Sequence, residues 1–333
     1  MDASFLQGAR VLVTGGTGFV GRHLLPELVR AGAEITCLAR ASSNISHLPR
    51  GVRVVRASLT TGEGLEDALA GQDMAVHLAA LLFGLGWQDY LRANARAADM
   101  LARAAAGIPS LRRLVLVSSL AATGPCGSAP GVGDDTVPAP VSAYGWSKFM
   151  AEQTFARHLG DRLVILRPAI IYGSGDRGLL PCFQGARRGV LVVPGLRRPF
   201  PVSAVHARDM AQAVIAALKP QAHGVYHVSD GREYTMREFN EAMAAAVGRR
   251  ARVLGLPLPI MAATAALASL AGNMGLCGRR PPSWNWDKYR EARQEGWLCD
   301  ASRLRRELGF APAMTLQAGM AEAVAGYRKE GWL

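Results

Sequence analysis

An α/β fold with a doubly wound parallel sheet follows from three features of the 333-residue chain. Short apolar runs alternate with amphipathic segments of helical period through the first half of the sequence. The runs are apolar throughout rather than alternating, which is the pattern of strands covered on both faces. A glycine-rich turn joins the first strand directly to the first helix.

In chain order, strands are predicted over residues 10–14, 34–39, 52–56, 74–78, 114–118 and 163–166. Helices fill the intervals, from the turn to about residue 30, over 65–70, over 87–106 and over 142–158. Beyond Arg167 the pattern loosens, and glycines and prolines become frequent between residues 173 and 201. A helix over 209–218, a strand over 224–228, a capped helix over 235–247 and two helices around 302–308 and 316–329 follow. The chain therefore reads as a sheet domain, residues 1–166, followed by residues 167–333 as a smaller C-terminal α/β lobe over the strand ends, with some segments returning to the sheet domain.

Composition narrows the class. Half of the residues are apolar and 19% are charged, enough to build a core. The formal charge of +12 comes mostly from arginine. It favours an anionic ligand, but no basic run interleaves with aromatics, so nucleic-acid binding is not expected. The five cysteines, at 37, 126, 182, 277 and 299, form no CxxC pair and no ligand spacing with histidine. Reduced thiols in a cytoplasmic protein are expected, with no metal site. The first eight residues show no basic segment leading into an apolar core, so no signal peptide is expected. Residues 253–278 carry no charge, yet Pro257, Pro259, Gly272 and Gly275 interrupt them and alanine dominates. A buried core helix or a lid is expected there rather than a membrane span.

The turn is Gly15-Gly16-Thr17-Gly18-Phe19-Val20-Gly21. Gly15 permits the tight bend, Gly18 lets the backbone approach a pyrophosphate, and Gly21 lets the helix pack on the strand. The helix N-terminus offers free N–H groups and a partial positive charge. The second strand ends in Ala39-Arg40, with Ser42 and Ser43 just beyond and no acidic residue for ribose hydroxyls. A guanidinium and two hydroxyls suit a 2′-phosphate, which favours NADP while leaving NAD open.

Tyr144 and Lys148 stand at i and i+4 on one face of a helix. A phenol titrates near 10, so a base at neutral pH needs cationic neighbours such as an ammonium and an oxidised nicotinamide. Lys148 can also hold the nicotinamide ribose. Ser119 follows the fifth strand at the carboxyl edge, where ligands bind in such sheets. Other candidates have plainer readings. His206 reads as a satisfied buried histidine, Asp134 and Asp135 as solvated acids in a Gly/Pro-rich loop, and Trp284 and Trp286 as pocket lining or loop anchors.

In this order the motifs resemble the extended short-chain dehydrogenase/reductase family, the NAD(P)-dependent epimerase/dehydratase group, across nearly the whole chain. They are TGGTGFVG from Thr14, HLAA from His77, VSSLAATG from Val117, YGWSK from Tyr144, RPAIIYGSGD from Arg167, VHARDMAQAV from Val205 and the tail from Trp297 to Phe310. The resemblance implies a Rossmann-type sheet. Tyr144 would be the acid/base with Lys148 as its partner and Ser119 as the catalytic serine. Leu78, Ala79 and Ala80 would line the cofactor, Pro168, Ala169 and Ile170 would meet its nicotinamide end, and Asn94 would stand near the site. A homodimer through helices at about 88–106 and 143–158 is also implied.

Two departures carry information. Ser58-Leu59 stands where the family often has Asp-Leu against the adenine, and serine keeps a hydrogen bond there. Ile170 replaces the asparagine that helps sugar-nucleotide members bind their substrate. RPAIIYG is closer to the hydroxysteroid dehydrogenase and dihydroflavonol reductase branch. An oxidoreductase that interconverts an alcohol and a carbonyl on a medium-sized, partly apolar small-molecule substrate is therefore expected. A sugar-nucleotide epimerase or dehydratase, and a cofactor-binding sensor or scaffold without turnover, are the alternatives.

Overall fold

A computed structural model describes residues 3–195, 199–277 and 281–333. Gly278, the last residue of the uncharged segment, lies outside the described residues.

The first half is built from β1 (Arg10–Thr14), α1 (Phe19–Arg30), β2 (Glu34–Ala39), β3 (Arg53–Arg56), α2 (Leu65–Leu69), β4 (Met74–His77), α3 (Trp87–Tyr90), α4 (Ala97–Ala106), β5 (Arg113–Val117), α5 (Leu120–Thr123), α6 (Ala143–Leu159) and β6 (Leu163–Pro168). Then come β7 (Ile170–Tyr172), α7 (Leu180–Arg187), β8 (Val190–Pro194), β9 (Pro201–His206), α8 (Ala207–Ala217) and β10 (Gly224–Val228). The chain ends with β11 (Glu233–Thr235), α9 (Met236–Val247), β12 (Arg252–Leu256), α10 (Leu258–Asn273), α11 (Trp286–Ala292), α12 (Ser302–Leu308) and α13 (Leu316–Lys329).

Seven parallel strands form the central sheet in the order β10-β6-β5-β4-β1-β2-β3. The chain order reverses beside β1, which opens a crevice at the carboxyl ends of β1 and β4. Continuous apolar strands supply two cores by alternation. Val11, Val13, Val115, Val117 and Val164 face α1 and α8. Leu12, Leu114, Leu116, Leu163 and Ile165 face α4 and α6. Truncating one of these leucines to alanine costs about 2–5 kcal/mol.

A third core joins Tyr172, Phe183, Phe239, Met243, Met320 and Tyr327 beneath the sheet β11-β9-β7. The strand expected at 224–228 is β10 and pairs with β6 at the edge of the main sheet. The expected helix over 87–106 is interrupted, because residues Leu91–Arg96 take a π-helical turn between α3 and α4. Ser142 is the N-cap of α6 rather than its first residue. Thr235 and Glu238 close the capping box of α9, as a capped helix requires.

The uncharged segment forms α10, but it is not an ordinary core helix. Met261 and Ala265 are buried against α11 and Gly272 against Leu85 and Pro282, while Ile260, Leu267, Leu270 and Met274 are exposed. Both of its faces are apolar, and the fold covers one. Among the described residues, no helix is long and apolar enough to cross a membrane.

Candidate active site

The glycine turn occupies the crevice at the end of β1. Gly15 has φ +72°, and a Cβ there would sit 2.7 Å from the Ala79 nitrogen, so the turn presses on the strand end at Leu78 and Ala79. A Cβ on Gly21 would run into the Gly16 carbonyl, which fixes how closely α1 packs on its own turn. Gly18 is the N-cap of α1, and no side chain covers that helix end. Thr17 lies in the turn, and Phe19 and Val20 open the helix. The arrangement fits a dinucleotide pyrophosphate on backbone N–H groups.

A histidine that the motifs did not reveal adds to this fit. His47, from the loop after β2, lies beside the Thr17 backbone, and burial pushes its pKa down. Its buried Nε2 has no partner among the described residues. The fold leaves that polar atom beside the turn for a ligand to satisfy.

Arg40 is exposed just beyond β2, with Ser42 exposed and Ser43 half-buried. A second guanidinium joins them from the end of β3. Arg56 Nη1 donates to the carbonyls of Arg40 at 2.5 Å and Ser43 at 3.4 Å. Two cations thus stand at the expected ribose end. Ser58 and Leu59 follow β3 half-buried, and the Ser58 hydroxyl accepts from Thr61 N at 3.2 Å and meets Thr60 Oγ1 at 3.1 Å. Its hydroxyl therefore shapes the local turn.

Beyond β4, Leu78, Ala79 and Ala80 are half-buried beside the turn. Thr14 Oγ1 meets His77 Nδ1 at 2.7 Å and locks the two strand ends together. Burial, reinforced by the Lys148 charge, pushes His77 down to about 3 and keeps it neutral. Asn94, on the π-helical turn, has every polar atom engaged. Its Oδ1 accepts from Leu81 N at 2.7 Å, and its Nδ2 donates to Leu81 O at 3.1 Å and Ser147 Oγ at 2.9 Å. It ties the loop after β4 to α6.

Ser119 caps α5, and its Oγ accepts from Ala121 N at 3.1 Å. The same hydroxyl lies beside the Tyr144 phenol and favours its ionised form. Lys148, one helical turn past Tyr144, is buried and donates to the Val117 carbonyl at 2.8 Å. Burial pulls its ammonium down to about 8, against the opposing pull of Glu152. Burial pushes the Tyr144 phenol above its usual range.

The cation that most offsets this burial is Lys288, from α11. Its Nζ lies 4.5 Å from the Tyr144 ring centroid and 5.7 Å from that of Phe83. Burial alone would depress Lys288, but Glu291 at 2.9 Å and the phenols of Tyr144 and Tyr90 hold its ammonium above the usual range. The rest of α11 grips the start of α6. Asp287 accepts from Ala143 N at 2.6 Å and Tyr144 N at 3.2 Å, and Glu291 accepts from Ser142 Oγ at 2.7 Å. Sequence reasoning missed this helix because nothing local ties residues near 288 to Tyr144. Trp284 and Trp286 anchor it to α10, through Thr264 Oγ1 at 3.1 Å and Ser269 Oγ at 2.8 Å.

Beneath the site runs a buried polar chain. Glu152 accepts from Ser118 Oγ and pairs with Arg167 at 2.6 Å. Arg167 Nη1 donates to Thr123 Oγ1 at 3.1 Å, which meets His227 Nε2 at 2.8 Å, and His227 Nδ1 meets Asp134 at 2.7 Å. Asp134 is therefore not a solvated acid, because its side chain is only 5% exposed. The pair brings a loop that precedes α6 under strand β10. Pro168, Ala169 and Ile170 continue from β6 into β7, and Ala169 N donates to Val228 O at 3.0 Å. His206 is buried against Glu322 at 3.1 Å, the satisfied histidine that the sequence suggested. Among the described residues, no group of three or more His, Cys, Asp or Glu could hold a metal ion.

A glycine cradle at a sheet crevice with a Ser-Tyr-Lys group beside it defines a class of nucleotide-dependent enzymes, and comparison with known proteins agrees. The model of the NAD dependent epimerase/dehydratase family matches residues 11–229, and the chain belongs to that family. It is an NAD(P)-dependent enzyme of the extended short-chain dehydrogenase/reductase class, with reductases and dehydrogenases among its relatives. A ceramide reductase of Caulobacter vibrioides is 30% identical over 97% of this chain and 96% of its own length. A 3-beta-hydroxysteroid dehydrogenase of Mycolicibacterium neoaurum is 25% identical over 96% of this chain and 91% of its own. The solved UDP-glucose 4-epimerase of Thermotoga maritima shares the fold, with a TM-score of 0.75 and 20% identity over 96% of this chain and 99% of that one.

Proposed function

We propose that this protein is an NADP-preferring oxidoreductase that interconverts an alcohol and a carbonyl on a medium-sized, partly apolar substrate. One observation carries the reading. The Tyr144 phenol, beside the Ser119 hydroxyl, lies against the ring of Tyr90 and the ammonium of Lys288, which in turn lies over the ring of Phe83. These surroundings suit an apolar carbonyl better than a nucleotide sugar, as does Ile170 in place of the family's asparagine. The names of the ceramide reductase and hydroxysteroid dehydrogenase relatives support the same class of substrate.

The bound nicotinamide supplies or accepts hydride. In the reductive direction Tyr144 donates its proton to the carbonyl oxygen, and Ser119 orients that oxygen. In the oxidative direction Tyr144 takes the hydroxyl proton as a phenolate, a form that Lys288 and Ser119 favour. Lys148, protonated below about 8 and seated on the Val117 carbonyl, would hold the nicotinamide ribose. Residues 15–21 would hold the pyrophosphate, Ser58 and Leu59 the adenine, and Arg40 with Arg56 a 2′-phosphate. Leu78, Ala79, Ala80 and the segment Pro168-Ala169-Ile170 would line the nicotinamide end.

The decisive assay offers NADPH with a steroid ketone and a medium-chain 3-oxo ester, and separately offers UDP-glucose. Net NADPH oxidation with an apolar ketone is expected. Turnover of UDP-glucose by protein that retains its NAD, with no net redox change, would overturn the reading. Arg40→Ala should weaken NADPH about tenfold, the worth of roughly one charge-assisted hydrogen bond, and leave NADH unchanged. Nicotinamide fluorescence titration reads both.

The protein also pairs into a homodimer in this reading. The outer face of α6 exposes Trp146 and Met150 beside α4, which suits a helix-to-helix contact between copies. The five free cysteines suit a reducing, cytoplasmic setting.

A further inference from the structure

The parallel pair β8–β12 starts at one end with Arg252 opposite Val190. Arg187 and Arg188 precede one strand, and Arg249 and Arg250 precede the other. All five arginines are exposed, and none joins an ion pair among the described residues. The ribbon's outer side then exposes Val190, Val192 and Leu254. Leu254 and Leu256 lead through Pro257 into α10.

On α10 the residues Ile260, Ala263, Leu267, Leu270 and Met274 recur at intervals of three and four and form one outward stripe. Leu267 and Leu270 are 67% and 56% exposed. The opposite stripe, Met261, Ala265 and Gly272, packs on α11 and on the loop after β4, where an added methyl at Gly272 would overlap Leu85. Trp286, at the start of α11, is exposed beside this helix.

We propose that the β8–β12 ribbon and the outer stripe of α10 dock onto the surface of an anionic lipid bilayer. An uncharged apolar helix that does not span, an exposed tryptophan beside it and a cluster of unpaired arginines at one end are the parts of an interfacial contact. The charge of the chain, +12, complements such a surface. A second copy is a poorer occupant, because a two-fold contact pairs this face with itself and the face offers no acidic residue, among the described residues, to meet its arginines. The docking face lies one helix away from Lys288 and Tyr144, since α10 covers α11 and α11 holds both. A substrate dissolved in lipid would then leave the bilayer beside the catalytic tyrosine. This purpose rests on the apolar-substrate reading, whereas the docking geometry does not.

The test is flotation of the full-length protein with vesicles of phosphatidylcholine containing about one-third phosphatidylglycerol, and with phosphatidylcholine alone. The protein is expected to float with the anionic vesicles, less with the neutral ones, and less again as salt rises. Leu267→Asp with Leu270→Asp should lower the partition at least about tenfold while the melting temperature and NADPH titration stay unchanged. Arg187→Ala with Arg188→Ala should weaken only the anionic binding. Protein that remains lipid-free, or an aspartate variant that floats as well as the parent, overturns the proposal. So does self-association through this face that the aspartates abolish without any lipid binding. Flotation needs no turnover, so a protein that floats yet reduces no ketone keeps the docking surface and loses only the substrate reading.

Discussion

The glycine turn and helix α11 build two ends of one site in opposite ways. Residues 15–21 work through the backbone: φ +72° at Gly15 and an absent Cβ against Ala79 let the chain itself meet a phosphate. Helix α11 works through charged side chains, with Asp287, Lys288 and Glu291 set on the first turn of α6 from more than a hundred residues away. A backbone device tolerates almost no substitution and is confined to one short stretch. A side-chain device depends on tertiary docking, and its members can be altered one at a time.

The largest effect expected lies between these two ends. Tyr144→Phe should lower turnover by roughly a thousandfold while leaving NADPH titration intact, because only the proton-carrying oxygen is lost. Surviving activity would remove Tyr144 from the chemistry and leave the comparison without its centre.

Gly15→Ala tests the backbone end. A left-handed backbone with a side chain and a clash with Ala79 should together cost at least about 2 kcal/mol. Thermal melting and NADPH titration should both record the loss. A variant that melts like the parent would mean the turn relaxes freely and the glycine is dispensable.

Lys288→Met tests the side-chain end and should have the smallest effect, roughly a tenfold fall in turnover with NADPH affinity unchanged. The pH profile separates its role from mere packing. Removing a cation that favours the phenolate should move the rise of the oxidation rate to higher pH, whereas a packing defect leaves the profile in place. In the reductive direction Tyr144 is already protonated, so the rate should be level near neutrality. It should fall as pH climbs through about 8, where Lys148 loses its proton.

The same contrast explains what was legible in the sequence. The sheet strands, the turn and the Tyr144–Lys148 pair are local patterns, and their elements lie within a residue or two of where periodicity and capping put them. Residues 302–308 and 316–329 are helical as read, since each carries an amphipathic face. Arg56 and His47 escaped notice because a single arginine at a strand end or a single histidine in a loop has no pattern. Lys288 escaped because its partner is distant in sequence. Asp134 was misread for the opposite reason: its Gly/Pro-rich surroundings suggest a solvated loop, but the fold places His227 over it. The uncharged helix α10 was legible as a helix and not as an exposed one, because composition does not say which of two apolar faces will find a neighbour.

Strand order also bears on how the chain is made. The edge of the sheet beside β6 is closed by β10, which begins only at Gly224. During synthesis the first six strands leave the ribosome well before that cover exists, with the apolar stretch Leu163–Pro168 as an open edge. His227, which holds Asp134, arrives with the same strand. A released chain truncated near residue 170 would therefore expose a sticky edge, since the second half supplies the strand that covers the first.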